Sequence, residues 1–432
     1  MSQGKALLLT GLILDAISGY GLAGVSVAYA DTRIIPSVTF SERYDSNVFN
    51  AASKFVPAGT KQWDFVTSVT PALQVTSPDH QVKTFLNAGV SASTMVNNPE
   101  LSFYSTNVGL ASNLNGLVGE FIPGAKLQVS DFFSFTPEPP GFLTGVKSGT
   151  VPDLYARGLV VARANTITNS ARATGQVPLS RDVSLQGEYI YSFFKIGTIY
   201  ISQEPGAPVA SLTTETRAAS GGLNLQLSRA DSVSIIYRNT QTNFSGVGAG
   251  ETGQSVTSVS GQDIRFGTHG IQVGYSTGSP DWTFALGAGS TIIEPGYRSY
   301  LSGNVKLEMK YGPSTSVAVS LSRDAAPSLF GTVGAMISTT GGLIVQHKFD
   351  RGLRLNATVN YAFNETAPEA FNTYESLAGQ LVLTYPVTRT LTTSLQYNYS
   401  RFVFTSVGGD ILGNYQVNRN AIMFSVSVSF ND

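Results

Sequence analysis

The sequence predicts an all-β fold: one closed, transmembrane antiparallel β-barrel of 16–18 strands, 18 preferred, with short periplasmic turns and long external loops. Two observations carry this reading. The first is period-2 alternation, the repeat of a strand with two different faces, recurring along nearly the whole chain. In the last stretch Ile422, Phe424, Val426, Val428 and Phe430 are apolar, while Met423, Ser425, Ser427 and Ser429 between them are mostly small and polar. The second is how such runs end. Tyr275, Tyr311, Phe349, Tyr385 and Phe430 each close a run on its apolar face, and the first four stand just before Gly-, Pro- or Asp-rich turns. Successive members are 36, 38, 36 and 45 residues apart, about one hairpin plus its loop. A ring of outward aromatics at one level is what a membrane interface selects, because an amphipathic ring sits well at headgroup depth.

Composition agrees with this class. Charged residues make up only 13% of the 432 residues, against about a quarter in soluble domains. Ser, Thr, Asn, Gln and 44 Gly take their place, which suits strands with one face in lipid and the other on a hydrated lumen. After Val27 no apolar run is long enough to span as a helix. A net charge of −1 argues against a nucleic-acid partner. Without cysteine there is no disulfide and no thiolate metal site, which suits passage through an oxidising periplasm. A soluble sandwich or propeller needs both sheet faces buried or a charged outer face, and the sequence has neither.

Residues 1–30 read as a secretory signal peptide. Lys5 supplies the positive start, Ala6–Leu14 the apolar segment and Ala28-Tyr29-Ala30 the cleavage site, leaving Asp31 to open the barrel at 31–432. Asp15 is unfavourable there, and a retained N-terminal anchor is the alternative. Alternation and turn residues then mark eighteen strands. They are Ile34–Tyr44, Trp63–Thr76, Val82–Val96, Phe103–Ala111, Gly124–Phe135, Leu159–Val177, Val183–Phe193, Thr214–Leu227 and Val233–Asn243 in the first half. The second half gives Ile264–Tyr275, Trp282–Ile293, Ser299–Tyr311, Thr315–Arg323, Val333–Phe349, Leu353–Asn364, Tyr374–Tyr385, Thr390–Arg401 and Tyr415–Phe430. Pro71 cannot donate to a ladder, so a bulge or weak pairing is expected there.

If the apolar set faces lipid, the opposite parity faces the lumen. That places Lys83, Lys126, Arg172, Glu188, Arg238, Lys306, Glu308, Lys310 and Arg354 inside. Bases outnumber acids, so either the lumen is mildly anion-preferring or these charges pair with carboxylates and merely solvate the wall. The loop Thr136–Tyr155 is the longest in the first half. Pro137, Pro139 and Pro140 around Glu138 stiffen it, Phe142 gives it something to bury, and Asp153 lies near its end. In position it resembles the third external loop that folds into the lumen of general diffusion porins; packing over the rim is the alternative.

Catalytic chemistry has no visible constellation. His80 falls in a periplasmic turn, His269 has apolar-face parity, and His347 shares a face with Phe349. None has a carboxylate and a hydroxyl at triad spacing, and three scattered histidines make no metal site. No enzyme activity and no cofactor are expected.

Ser41-Glu-Arg-Tyr-Asp-Ser-Asn-Val48, Trp63-Asp-Phe-Val-Thr-Ser-Val-Thr-Pro-Ala-Leu73 and, more weakly, Thr136-Pro-Glu-Pro-Pro-Gly-Phe142 carry a resemblance. In these segments the chain resembles a family of outer-membrane β-barrel porins often associated with exopolysaccharide production systems. The resemblance implies a channel in the Gram-negative outer membrane with no assigned catalytic residues. Expected partners are outer-membrane lipid and lipopolysaccharide, and the barrel-assembly machinery reading the terminal strand. Phe430→Ala is expected to lower the yield of heat-modifiable barrel in the membrane; an unchanged yield would refute that. Passive diffusion of small hydrophilic solutes is the first functional expectation. Export of a polysaccharide with periplasmic partners is the second, with Phe142, Phe244, Phe330, Phe371 and Phe402 as ring-stacking candidates.

Overall fold

The protein's structure, a computed structural model, describes residues 32–56, 59–79, 81–137, 165–196, 211–247, 264–294, 298–327, 335–367, 372–406 and 414–430. Residues 1–30, and with them the expected signal peptide, lie outside this set, as does His80. Eighteen strands follow in order: β1 (Arg33–Asp45), β2 (Asp64–Pro78), β3 (Lys83–Met95), β4 (Phe103–Asn113), β5 (Lys126–Thr136), β6 (Thr166–Pro178), β7 (Val183–Ile196), β8 (Ser211–Gln226) and β9 (Ser232–Val247). Then come β10 (Ile264–Gly278), β11 (Trp282–Glu294), β12 (Arg298–Tyr311), β13 (Thr315–Pro327), β14 (Ala335–Lys348), β15 (Arg354–Ala367), β16 (Asn372–Pro386), β17 (Leu391–Ser406) and β18 (Tyr415–Ser429).

Every strand pairs antiparallel with its neighbours in sequence, and β1 also pairs with β18, so the sheet closes on itself. A closed sheet satisfies each backbone donor and acceptor internally and leaves no edge, which is what a strand protein needs in lipid. The seam runs from Ser37↔Ser429 to Asp45↔Ala421. Pro71 has a local effect. The β2–β3 ladder runs through Val69↔Ala92 and resumes at Ala72↔Gly89 in the same register. The proline therefore weakens pairing over two residues without producing a bulge.

Period 2 sorts the side chains as the alternation requires. Along β18 and the residue after it, Ile422, Phe424 and Phe430 are exposed on the outer surface, while Ala421, Met423 and Ser425 are buried on the inner one. Tyr275, Tyr311, Phe349, Tyr385 and Phe430 are all exposed on the outer face, toward the end of the barrel that carries the short turns. At that end Asp231, in the turn after β8, accepts hydrogen bonds from Ser228 Oγ (2.6 Å) and Tyr275 Oη (2.7 Å). These hold its carboxyl below the usual carboxylate range. The outer face is not uniformly apolar. Glu42 accepts from Thr67 Oγ1 at 2.6 Å, Asp131 accepts from Asn169 at 2.9 Å, and His269 stands beside Tyr237, Asn239 and Glu294.

Two connections depart from the sequence expectation. Between β4 and β5, where alternation marks no element between Ala111 and Gly124, the chain forms α1 (Asn115–Phe121). Asn115 Oδ1 accepts from Leu127 N at 2.8 Å, and Leu114 N bonds to Leu127 O, so the helix is tied to the start of β5. The second is the connection 46–63 between β1 and β2, which folds against the inner wall. Its Ala52 packs with Met336, Tyr374, Phe402, Phe404 and Val417. Its Val48 packs with Val66 and Met95, and Phe49 joins from the edge. Phe402 is thus part of β17 and buried inside, not a loop residue at the rim.

Candidate functional site

The wall of β5 to β9 brings four of the predicted inward charges together. Lys126, Arg172, Glu188 and Arg238 line one recess of about 330 Å³ opening on the lumen, with Gln128, Thr174, Gln186 and Ser220 among its other walls. Register explains the grouping. Lys126 pairs with Gln176 and Gln128 with Thr174 across β5–β6; Thr174 pairs with Glu188 across β6–β7. Glu188 then pairs with Ser220, and Ser220 with Arg238. Serine is small, so the Arg238 side chain reaches across β8 to Glu188.

Glu188 is the hub. Arg172 Nη2 forms an ion pair with its Oε1, and Arg238 Nη2 lies 3.7 Å from its Oε2. The carboxylate is 16% exposed, whereas the two arginines are 57% and 53% exposed. The acid therefore lies beneath the guanidiniums and orients them, while their outer N–H edges face the lumen. Exposed ion pairs stabilise little, so the arrangement matters for the charge it presents. Lys126, Arg172 and Arg238 against Glu188 leave a net +2 on this wall.

The other predicted inward charges stay apart from this group. On β12 Lys306 Nζ lies 2.6 Å from Glu308 Oε1, a locally neutral pair, with Lys310 next on the same face. Lys306 and Lys310 hold the Glu308 side chain in a basic strip one strand wide. Arg354 pairs in register with Lys348, an inward base that sequence reading had left out, and with Thr384. Lys83 sits at the short-turn end of β3, opposite Pro78 and Asn113. Diametrically across from the basic recess, the inner wall carries amides and hydroxyls: Gln380, Gln396 and Asn398 are linked, with Gln396 Nε2 donating to Asn398 Oδ1 at 3.0 Å.

Of the expected constriction loop, Pro137 lies just beyond β5; Glu138, Pro139, Pro140, Phe142 and Asp153 fall outside the described residues. The connection seen against the inner wall is 46–63. It is anchored by charges outside the set that parity places on the lumen. Asp45 and Arg419 are fully buried: Arg419 Nε donates to Asp45 Oδ1 at 3.0 Å and Nη2 to Oδ2 at 2.5 Å, while Arg43 Nη2 is 3.5 Å away. Asn47 follows, with its N–H on Asp45 Oδ1 and its amide donating to Ala51 O and Asn418 O. Asp64 is likewise buried and accepts from the backbone N–H groups of Phe65, Val96, Asn97 and Asn98. Inward parity was the signal available for Arg43 and Arg419.

Among the described residues no three His, Asp or Glu side chains are grouped to hold a metal ion. His269 and His347 are on the outer face; His347 Nδ1 is 2.7 Å from Thr315 Oγ1 and its ring lies against Phe349.

The chain matches no protein-family model, and no curated protein matches it. Solved structures of similar shape are β-barrels. A mutant of the ferric enterobactin receptor PfeA from Pseudomonas aeruginosa aligns with a TM-score of 0.48 at 9% identity, covering 93% of this chain and 81% of that one. OccAB3 from Acinetobacter baumannii aligns with a TM-score of 0.41 at 9% identity, covering 93% and 100%. OccK3 from Pseudomonas aeruginosa gives 0.42 at 11%, covering 92% and 96%. Likeness at this level carries no argument about cargo.

Proposed function

We propose that the protein is an outer-membrane channel through which small hydrophilic solutes diffuse, with a preference for anions. The observation that carries this reading is the basic recess on the lumen wall. Arg172 and Arg238 pair with one carboxylate, Lys126 lines the same recess, and across the lumen β16 and β17 present the linked amides Gln380, Gln396 and Asn398. A one-signed field in a low-dielectric passage concentrates ions of the opposite sign. On this reading the short turns face the periplasm, the aromatic ring marks the inner interface, and the outer leaflet's lipopolysaccharide surrounds the other end.

Recording in a planar bilayer under a salt gradient tests it. The folded protein is expected to conduct on insertion, with a reversal potential displaced toward that of chloride. Arg238→Glu or Lys126→Glu is expected to move the reversal potential toward that of potassium. Conductance with no anion bias, or a bias unmoved by either reversal, overturns the assignment. The export reading suggested by the N-terminal resemblance requires a channel closed until a partner or polymer arrives. Folded protein that never conducts alone would favour it.

A further inference from the structure

We infer that the Arg172–Glu188–Arg238 recess is a saturable binding site for a small polyhydroxylated carboxylate, a sugar acid, on its way through the lumen. The inference rests on the channel reading above and adds the solute class. Three features of the recess lead to it.

The first is the presentation of the guanidiniums. Both arginines are anchored on one side by Glu188 and more than half exposed on the other. A guanidinium held in place presents a planar pair of N–H donors that matches a carboxylate in two parallel hydrogen bonds, which a lysine ammonium does not. The second is the supply of acceptors. A bare anion needs donors only, and the three cations would provide them. Thr174 and Ser220 hydroxyls and the Gln128 and Gln186 amides both donate and accept. Side chains of that kind match ligand hydroxyls, which must donate as well as accept. Glu188 adds a further acceptor at the centre, and its negative charge opposes a compact dianion such as phosphate. The third is size. About 330 Å³ holds one hexose-sized solute with some water and is at the small end of ligand pockets. Ile236 is the apolar surface in the lining, on which a sugar ring face can rest.

The site lies on an open wall, so residence is brief and passage continues. Bound solute narrows the lumen while it stays, and single-channel current reads this directly. With glucuronate as probe, the open channel is expected to show interruptions whose frequency saturates with concentration. Glucose, lacking the carboxylate, and acetate, lacking the hydroxyls, are expected to interrupt far less at equal concentration. Arg172→Gln with Arg238→Gln should raise the half-saturating glucuronate concentration about tenfold or more, as loss of a charge-assisted bidentate contact implies. Thr174→Val with Gln186→Leu should weaken the glucuronate effect and leave that of acetate unchanged.

A channel that conducts and is interrupted equally by acetate and glucuronate would reduce the recess to a non-selective anion wall and overturn the inference, with the channel reading intact. A conducting channel that no probe interrupts would do the same. Absence of conductance overturns the channel reading instead. Titration calorimetry of the folded, detergent-solubilised protein with glucuronate keeps the binding claim testable in that case, and no heat of binding there would refute it.

Discussion

Asp45→Ala is expected to destabilise the barrel by about 3–5 kcal/mol, the scale for removing one partner of a buried ion pair. Asp45 ends β1 and Arg419 lies on β18, 374 positions away, so their hydrogen bonds cross the seam where the first and last strands close the barrel. Both side chains are fully buried, and Arg43 at 4% exposure shares the same carboxylate. Removing Asp45 leaves two buried guanidiniums without the anion they share, and also deprives Asn47 N–H of its acceptor. Removing Arg419 instead leaves Arg43 beside Asp45, so Arg419→Ala should cost less. Arg401, exposed on the outer face of β17, is the control, with an expected change within about 0.5 kcal/mol. Denaturant unfolding in lipid vesicles, followed by tryptophan fluorescence and by gel heat-modifiability, measures all three. A loss below about 1 kcal/mol for Asp45→Ala would show that the network does not hold the seam. The double variant Asp45→Leu with Arg419→Met should recover part of the loss, because apolar pairs replace buried ion pairs at little net cost.

The barrel was legible because a strand's two faces are written in period 2. Each of the eighteen strands overlaps the run that alternation marks, with 159–164 outside the described residues, and Lys126, Arg172, Glu188 and Arg238, which share one parity, line one recess. Strand ends were less legible. β17 continues to Ser406, five residues beyond Arg401, and there Phe402 and Phe404 turn inward and join the buried cluster. The helix α1 is not legible because seven residues, two of them glycine, show no periodicity long enough to read.

Which charges meet depends on stagger between strands, and no single strand encodes that. Glu188 could have faced either neighbouring wall; it joins Arg172 and Arg238 because Thr174 and Ser220 fall opposite it. The Arg43–Asp45–Arg419 group is further still from sequence reading. Arg419 joins Arg43 and Asp45 only after the sheet has closed, and Asp45 lies one residue past the run Ile34–Tyr44 that alternation marks. The same holds for the connection 46–63. Its Val48, Phe49 and Ala52 are apolar residues in a loop, which is a cue for inward packing.

Asp64→Ala is the second large effect expected, a loss of several kcal/mol at the opposite end of that connection. Asp64 begins β2, directly opposite Asp45 in register, and has no exposed surface. Its two oxygens accept from four backbone N–H groups at 2.8–3.0 Å and from the Asn98 amide at 2.8 Å. Three of those backbone donors, on Val96, Asn97 and Asn98, form the turn between β3 and β4. Val96 N–H keeps Phe65 O as a second acceptor at 3.2 Å, but a buried N–H left without an acceptor costs about 1–3 kcal/mol, so alanine would free Asn97 and Asn98 from the wall. Asparagine keeps one acceptor oxygen but introduces a donor facing other donors, so Asp64→Asn should lose about half as much as alanine. Trp63 sits next to the site with its ring 6.1 Å from Phe65 and 6.3 Å from Tyr44. Its fluorescence should therefore shift on Asp64→Ala while the strand content in far-UV circular dichroism stays constant. Limited proteolysis should cut the alanine variant at 96–102 and spare the parent protein. Equal resistance of the two to cleavage there, with unchanged Trp63 emission, would mean that the turn is held by the Pro99–Leu101 helical turn alone rather than by the carboxylate.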